Sequence, residues 1–186
     1  MLTITVPAMT FLDEKTEEII KIKEQTLVME HSLVSLSKWE SKWCKPFLSL
    51  KQGETLSEDE FLDYIRCMIV TPAKVDELTL MYLPNYIRKE IAEYINSPMT
   101  ATWFSESKES KGKNKDTITN ELIYYWMISL NIPFECQKWH LNRLMTLIRV
   151  CNIKNDPDGK KMSKKEIYAQ NRELNKARRA KMGSKG

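Results

Sequence analysis

The sequence predicts a mostly α-helical protein of the α+β class, with a small N-terminal antiparallel β element, a domain of five to six helices and a basic, helix-prone C-terminal arm. Apolar residues alternate with threonines over residues 2–6, which is the period of a β-strand. After His31 they recur every three or four positions, which is the period of a helix. Charge marks the end of the packed domain, because residues 160–186 carry ten Lys and Arg against two Glu. We therefore divide the chain at 1–30, 31–155 and 156–186.

The N-terminal β element is predicted from short runs of apolar and β-branched residues. Residues 2–6 form the first strand, and Pro7 ends it. Isoleucines at 19–22 and the apolar residues at 27–29 suggest one or two partner strands. We expect two or three antiparallel strands. So few strands are not stable alone in water, so this element should pack on the helical domain.

Four helices follow in order. Ser32 can cap the first helix, and Pro46 lies just beyond its end. A capping-box pattern at 57–60 opens the second helix, since a serine there is followed three residues later by a glutamate. A short third helix covers 75–83. Pro84 then stands at a suitable first position for a fourth helix.

Two further helices are predicted after a polar loop at 105–116. Thr117 or Thr119 can cap the helix over 118–130, which is apolar around most of its circumference. A helix that is apolar all round is usually buried, so we expect this one to be central. A tight break then leads into a helix over 134–151, and a short connection between two helices predicts an antiparallel hairpin.

Motifs for catalysis are missing from the sequence. It contains no phosphate-binding glycine motif, no zinc-protease motif and no nucleophile elbow. Cys136 and His140 lie four residues apart on a predicted helix, but zinc needs further ligands and no second compact pair exists. We interpret them as a core cysteine and a hydrogen-bonded histidine. The sequence therefore predicts a binding protein with no metal, no cofactor and no enzymatic activity.

Composition also bears on the compartment. No apolar run reaches the roughly 18 residues needed to cross a bilayer. The first residues have neither a basic region nor a small-residue cleavage site, as a signal peptide would. The four cysteines are scattered without a CxxC pair, so we expect them to act as small buried hydrophobes. These observations argue against a membrane or secreted protein and favour the inside of a cell.

Candidate partner-binding residues come from tryptophans and from the basic arm. Trp39 and Trp43 lie four residues apart; we assign Trp43 to the core and leave Trp39 open between core and a partner-binding ridge. Trp103, just before the polar loop, is a candidate exposed anchor. The candidate residues are Trp39, Trp103, Lys164, Lys165, Arg172, Lys176, Arg178 and Arg179.

The arm itself has three interpretations. Its local charge is +8, whereas residues 1–159 carry nineteen basic and twenty-three acidic residues. A basic, helix-prone arm can fold on an acidic or helical protein segment. It can equally be a solvated tail without a specific role. Nucleic acid ranks third, because the arm has one aromatic residue and no recognisable RNA- or DNA-binding motif.

Several long strings resemble one family. HSLVSLSKWESKWCKPFL, DYIRCMIV, SPMTATWF and above all IYYWMISLNIPFECQKWHLNRLMTLIRVCNIKN followed by KKMSKK are similar to tail assembly chaperones of long-tailed (siphovirus-like) bacteriophages. The likeness covers most of residues 27–186 and is looser in the N-terminal β segment. It is a likeness of extended strings, which indicates a family well and a mechanism poorly.

The resemblance implies a small non-enzymatic protein in the cytoplasm of the infected bacterium, absent from the finished virion. Such chaperones are understood to coat the tape measure protein, keep it soluble and help recruit tail tube protein. In many of these phages a programmed frameshift also yields a longer product. Ten methionines would supply the adaptable apolar contacts that such binding needs, although many of them can simply fill the core.

Other functions stay open at this point. One is a nucleic-acid-binding or regulatory phage protein that acts through its basic arm; another is a minor virion tail component. Self-association of the chain is also left open.

Overall fold

The computed structural model describes residues 1–13, 17–50, 55–71, 75–104 and 117–155, together with 168, 172 and 173. Within these residues the chain forms a small antiparallel β element followed by six α-helices, which confirms the predicted fold class. The strands are β1 (Leu2–Val6), β2 (Met9–Asp13), β3 (Glu18–Ile22) and β4 (Gln25–Met29). The helices are α1 (Leu33–Trp43), α2 (Glu58–Met68), α3 (Glu77–Met81), α4 (Asn85–Asn96), α5 (Asn120–Ser129) and α6 (Leu141–Asn155).

The four strands form the two arms of one long hairpin. Strand β1 pairs with β4 and β2 pairs with β3, both antiparallel. The two ladders keep the same register, with Leu2 opposite Met29 and Met9 opposite Ile22. Pro7 lies between the two ladders and has no N–H to donate. The hairpin is thus divided into four strands, which is more than the two or three predicted.

The inner half of the hairpin packs on the helices. Ile4, Val6, Leu27 and Met29 are buried in a first core cluster together with residues of α1 to α4. The free side of β4 is extended by one bridge, in which Met29 pairs with Ile69. The β element is therefore held by the helical domain, as its small size requires.

Helix α1 lies between two core clusters. Its Trp39 belongs to the first cluster, whereas Leu33 and Leu36 belong to a second cluster with residues of α5 and α6. The Ser32 hydroxyl accepts a hydrogen bond from the Ser35 N–H, so the predicted cap is confirmed. The capping box at Ser57 and Glu60 is confirmed as well. Helix α1 is the central helix of the described fold.

Helix α5 does not occupy the centre predicted for it. Asn120, Ile123 and Met127 are its buried residues, and the rest of its surface is half-buried or exposed. The reason is that α1 already contacts both α2 and α5, so α5 packs against α1 from one side. The prediction of a central helix over 118–130 is therefore wrong.

The helix predicted over 134–151 is interrupted. A 3-10 turn at Phe134–Lys138 is followed by an extended residue, Trp139, and α6 begins at Leu141. At the interruption His140 bridges to Ser32, and the Leu141 N–H donates to the His31 carbonyl at 2.7 Å. This pairing with the chain before α1 replaces two helical residues. Cys136 and His140 therefore do not share a helix face.

Candidate partner-binding surface

Trp39, one candidate for a partner-binding ridge, lies in the core. It is fully buried, and its indole N–H donates to the Glu60 carbonyl at 2.9 Å. Its ring also contacts Phe47 and Tyr64 edge to face. Because neither the ring nor its N–H is accessible, the hypothesis that Trp39 anchors a partner is wrong in this fold. Trp43 is partly buried and donates to Asp63 at 2.9 Å, in keeping with its assignment to the core.

Trp103 lies on the surface, with 66% of its area exposed. This exposure is what an anchor for a partner needs; binding itself stays a prediction. Arg172 has helical backbone and is also exposed. The other arm candidates and the polar loop lie outside the described residues: Lys164, Lys165, Lys176, Arg178, Arg179 and 105–116.

The surface around α5 is the strongest candidate site. The helix is apolar on nearly every side, yet Tyr125 is 63% exposed and Ile128 is 61% exposed. By helical geometry Tyr125 points away from the core, with Trp126 on one flank and Ile128 on the other. Phe134, just beyond the helix, adds a further exposed ring. A helix that is apolar all round is normally covered on all sides, and clustered exposed apolar residues mark interaction sites.

Two grooves meet at Trp126. The first, of about 380 Å³, lies between α5 and α6, and we call it the α5–α6 groove; its walls include Phe104, Trp126, Met145, Ile148 and Arg149. The second, of about 750 Å³, lies beside the chain before α5, and its walls include Leu48, Leu50, Ile118, Leu122 and Trp126. Trp126 forms a wall of both grooves. The result is a continuous surface with one apolar hollow, the α5–α6 groove, and a second hollow of mixed polarity.

A buried carboxylate holds α5 in place. Glu40 of α1 accepts hydrogen bonds from the backbone N–H and the side-chain amide of Asn120, both at 2.7 Å. Its other oxygen accepts the Phe47 N–H at 2.8 Å. Thr119 occupies the predicted cap position, but its side chain makes no capping hydrogen bond, and Glu40 does this instead. An anion at a helix N-terminus also complements the helix dipole.

Helix α6 is basic, and one of its cations, Arg149, lies at this surface. Helix α6 contains Arg143, Arg149 and Lys154 and no acidic residue. The Arg149 guanidinium carbon lies 4.1 Å from the ring centre of Phe104, at the wall of the α5–α6 groove. Arg143 makes the same kind of contact with Trp139, at 4.2 Å, on another face of the helix. Among the described residues, no carboxylate forms an ion pair with either arginine.

A group of polar side chains, which includes His31 and His140, is buried where the two core clusters meet. The rings of His31 and His140 have centres 5.0 Å apart. His31 Nδ1 shares a hydrogen bond with the Tyr64 hydroxyl. His140 Nε2 lies 3.0 Å from the Tyr94 carbonyl and therefore donates, while its Nδ1 accepts the Asn142 N–H at 3.3 Å. This geometry fixes His140 in its neutral form.

Electrostatics keep both histidines uncharged. Burial, followed by the neighbouring His140, lowers the pKa of His31 to about 3. Burial also lowers the pKa of His140, although the Tyr94 carbonyl opposes this effect. Nearby, Glu30 accepts a hydrogen bond from the Tyr94 hydroxyl and lies 2.9 Å from the amino group of Met1. Among the described residues no fully buried side-chain nitrogen or oxygen lacks a hydrogen-bond partner, so we interpret this group of side chains as structural.

The chemistry expected of the cysteines and histidines is partly confirmed. Cys136 is buried and His140 is buried and hydrogen-bonded, as predicted. Cys44 differs, because it ends α1 in a left-handed conformation (φ 52°) and is exposed. Within the described ranges, no three potential ligands from His, Cys, Asp and Glu come together to hold a metal. None of the described helices combines the length and apolar character needed to span a membrane.

Comparisons with protein families, with curated proteins and with solved structures find no match to this chain. The candidate surface therefore rests on its own geometry. The α5 surface is not among the sites predicted from the sequence, although its signal, a helix with apolar residues on all sides, is visible there. The helix was predicted to be central because an apolar helix was expected to be covered on all sides by its own chain.

Proposed function

We propose that the protein is a tail assembly chaperone of a long-tailed bacteriophage. It binds the tape measure protein, keeps it soluble, helps recruit tail tube protein and carries out no catalysis. It acts in the cytoplasm of the infected bacterium and is not part of the virion. The observation that carries the proposal is the exposed apolar surface of α5, together with the family resemblance of the sequence.

Such a chaperone must offer a surface that matches the exposed surface of its client. A long helical client exposes apolar stripes, so its binder needs apolar surface that is accessible in the free protein. Tyr125, Ile128 and the α5–α6 groove are surface of this kind. Met81 and Met99 are also exposed and can adapt their shape to different contacts. Many copies bound along one client would hold it through avidity.

The direct test is co-expression with the tape measure protein of the same phage. We expect the chain to raise the soluble yield of that protein severalfold. The variant Tyr125→Lys should lose this effect, because it introduces a charge on the outermost position of α5. Tyr86→Lys is the matched control, since Tyr86 lies on helix α4 and is 62% exposed against 63% for Tyr125. No gain in solubility with the unmodified chain would refute the proposal.

The local charge of +8 in residues 160–186 favours a second candidate function. This candidate is a nucleic-acid-binding or regulatory protein. A retardation assay with duplex DNA across salt concentrations tests it. Binding through clustered Lys and Arg must weaken steeply with salt. A third candidate, a minor tail component, requires the chain to be found in purified virions by mass spectrometry.

A further inference from the structure

The α5–α6 groove combines apolar walls with one fixed positive charge. Phe104, Trp126, Met145 and Ile148 provide the apolar walls, and Arg149 provides the charge. An apolar hollow binds apolar side chains from many sources. The arginine is the element that can discriminate between them, because charge complementarity at an interface mainly sets specificity.

Arg149 is held in position by its contact with Phe104. A guanidinium over an aromatic face is attracted by the ring, and a distance of 4.1 Å is well within the range of this interaction. Such a contact uses the face of the group and leaves N–H donors at its edge for a carboxylate. In the described part of the chain no carboxylate takes that place.

The charge of the surrounding helix points the same way. Helix α6 carries no acidic residue along its 15 residues, so nothing on this helix offsets the positive charge of Arg149 at the groove. Because Trp126 forms a wall of both grooves, an apolar helical segment that contacts its ring can reach both hollows. A complementary occupant has an apolar stripe and an acidic residue beside it.

We infer that the α5–α6 groove binds an amphipathic helical segment of the client, whose apolar stripe fills the hollows and whose Glu or Asp pairs with Arg149. This inference rests on the proposed function and specifies the client: segments flanked by acidic residues are bound, and segments flanked by basic residues are rejected. The chaperone thereby selects among apolar helices by their charge.

The test uses two labelled synthetic helical peptides of about 20 residues, a length sufficient for helix formation. Both carry a leucine stripe; one is flanked by Glu and the other by Lys. Fluorescence anisotropy with the full chain should show the Glu peptide binding about tenfold more tightly. Arg149→Glu should reverse this preference. Arg143→Glu is the matched control, because it is the same change on the same helix, outside the groove, and it should leave the preference intact.

Three results would overturn the inference. The first is equal binding of the two peptides, and the second is an equal effect of Arg149→Glu and Arg143→Glu on the preference. The third is dissociation of a homo-oligomer by Arg149→Glu in sedimentation, because it would assign the groove to a second copy of the chain. Failure of the proposed function is distinguishable. In that case the Glu peptide binds and Arg149→Glu reverses the preference, yet co-expression does not raise the soluble yield of the tape measure protein.

Discussion

Helices α1 and α5 contact each other, but their surroundings differ. Helix α1 carries several charged residues and is enclosed by both core clusters, with Leu33, Leu36 and Trp39 fully buried. Helix α5 carries a single charged residue, Glu121, and leaves Tyr125 and Ile128 largely exposed. Composition thus does not decide which of two neighbouring helices is central. The difference gives α1 the larger part in the stability of the fold and leaves α5 with the exposed apolar surface on which the proposed function rests.

The largest effect that separates the two helices is expected from a core deletion in α1. Leu36→Ala removes a fully buried side chain from the second cluster and should lower the free energy of unfolding by about 3 kcal/mol. Urea denaturation measures this change. A loss below about 1 kcal/mol would show that α1 is less enclosed than its burial indicates.

The next largest loss of stability is expected at Glu40, which joins α1 to the first turn of α5. Glu40→Gln retains the shape of the side chain but removes the charge that accepts three N–H groups, so we expect a loss of about 2 kcal/mol. Hydrogen exchange should show faster opening of the first turn of α5. The control Glu77→Gln alters an exposed ion pair with Arg66 and should cost less than about 1 kcal/mol. Similar losses in both variants would contradict the role assigned to Glu40.

The buried pair His31 and His140 should make the free energy of unfolding depend on pH. Both folded-state pKa values are lowered, so in acid the unfolded chain binds protons that the folded chain does not. For the histidines, stability should therefore be constant above about pH 7.5 and fall as the pH decreases through the ordinary histidine range, by about 1.4 kcal/mol for His31 at pH 5.5 and with a loss of the same sign from His140.

Denaturation at a series of pH values measures this slope, and His31→Gln should flatten it, because the pKa of His31 is lowered to about 3. Carboxylates contribute at lower pH. The hydrogen bond from Lys45 lowers the pKa of Glu60, whose stabilising contribution is present above its ordinary pKa and is lost below about pH 4.5. An unchanged slope between about pH 7.5 and 5.5 in the variant would exclude the buried histidine as its source.

The smallest effect is expected on the outer surface of α5. Ile128→Ala removes an exposed side chain and should change the free energy of unfolding by less than about 0.5 kcal/mol. Ile123→Ala, at a buried position on the same helix, should by contrast lower the free energy of unfolding by about 3 kcal/mol. Thermal denaturation of the pair suffices. Comparable losses at both positions would mean that α5 is covered on both sides.

Much of the fold could be predicted because its signals are local. Alternation over residues 2–6 depends only on neighbouring residues, and so do the caps at Ser32 and at Ser57 with Glu60. The interruption at Trp139 and His140 could not be predicted in this way. There the chain exchanges helical hydrogen bonds for pairing with residues 31–32, which are distant in sequence.

The candidate site was less accessible to prediction from sequence. Trp39 and Trp126 are the same residue type on helices of similar length, yet one is enclosed and the other lines two grooves. A tryptophan is favoured in cores and in interfaces for the same physical reason, which is its large apolar area. Only the arrangement of neighbouring helices separates these two outcomes.

The sequence by itself determined that a β element precedes the helices and that α1 and α2 begin at their serine caps, because these features follow from side chains within a few residues of one another. The tertiary structure decided that α1 is central, that α5 keeps an exposed apolar surface and that Glu40 caps a helix 80 residues further along the chain. Several apolar helix faces compete for the same packing partners, and the outcome decides which residues are buried. That competition involves the whole chain rather than any one segment.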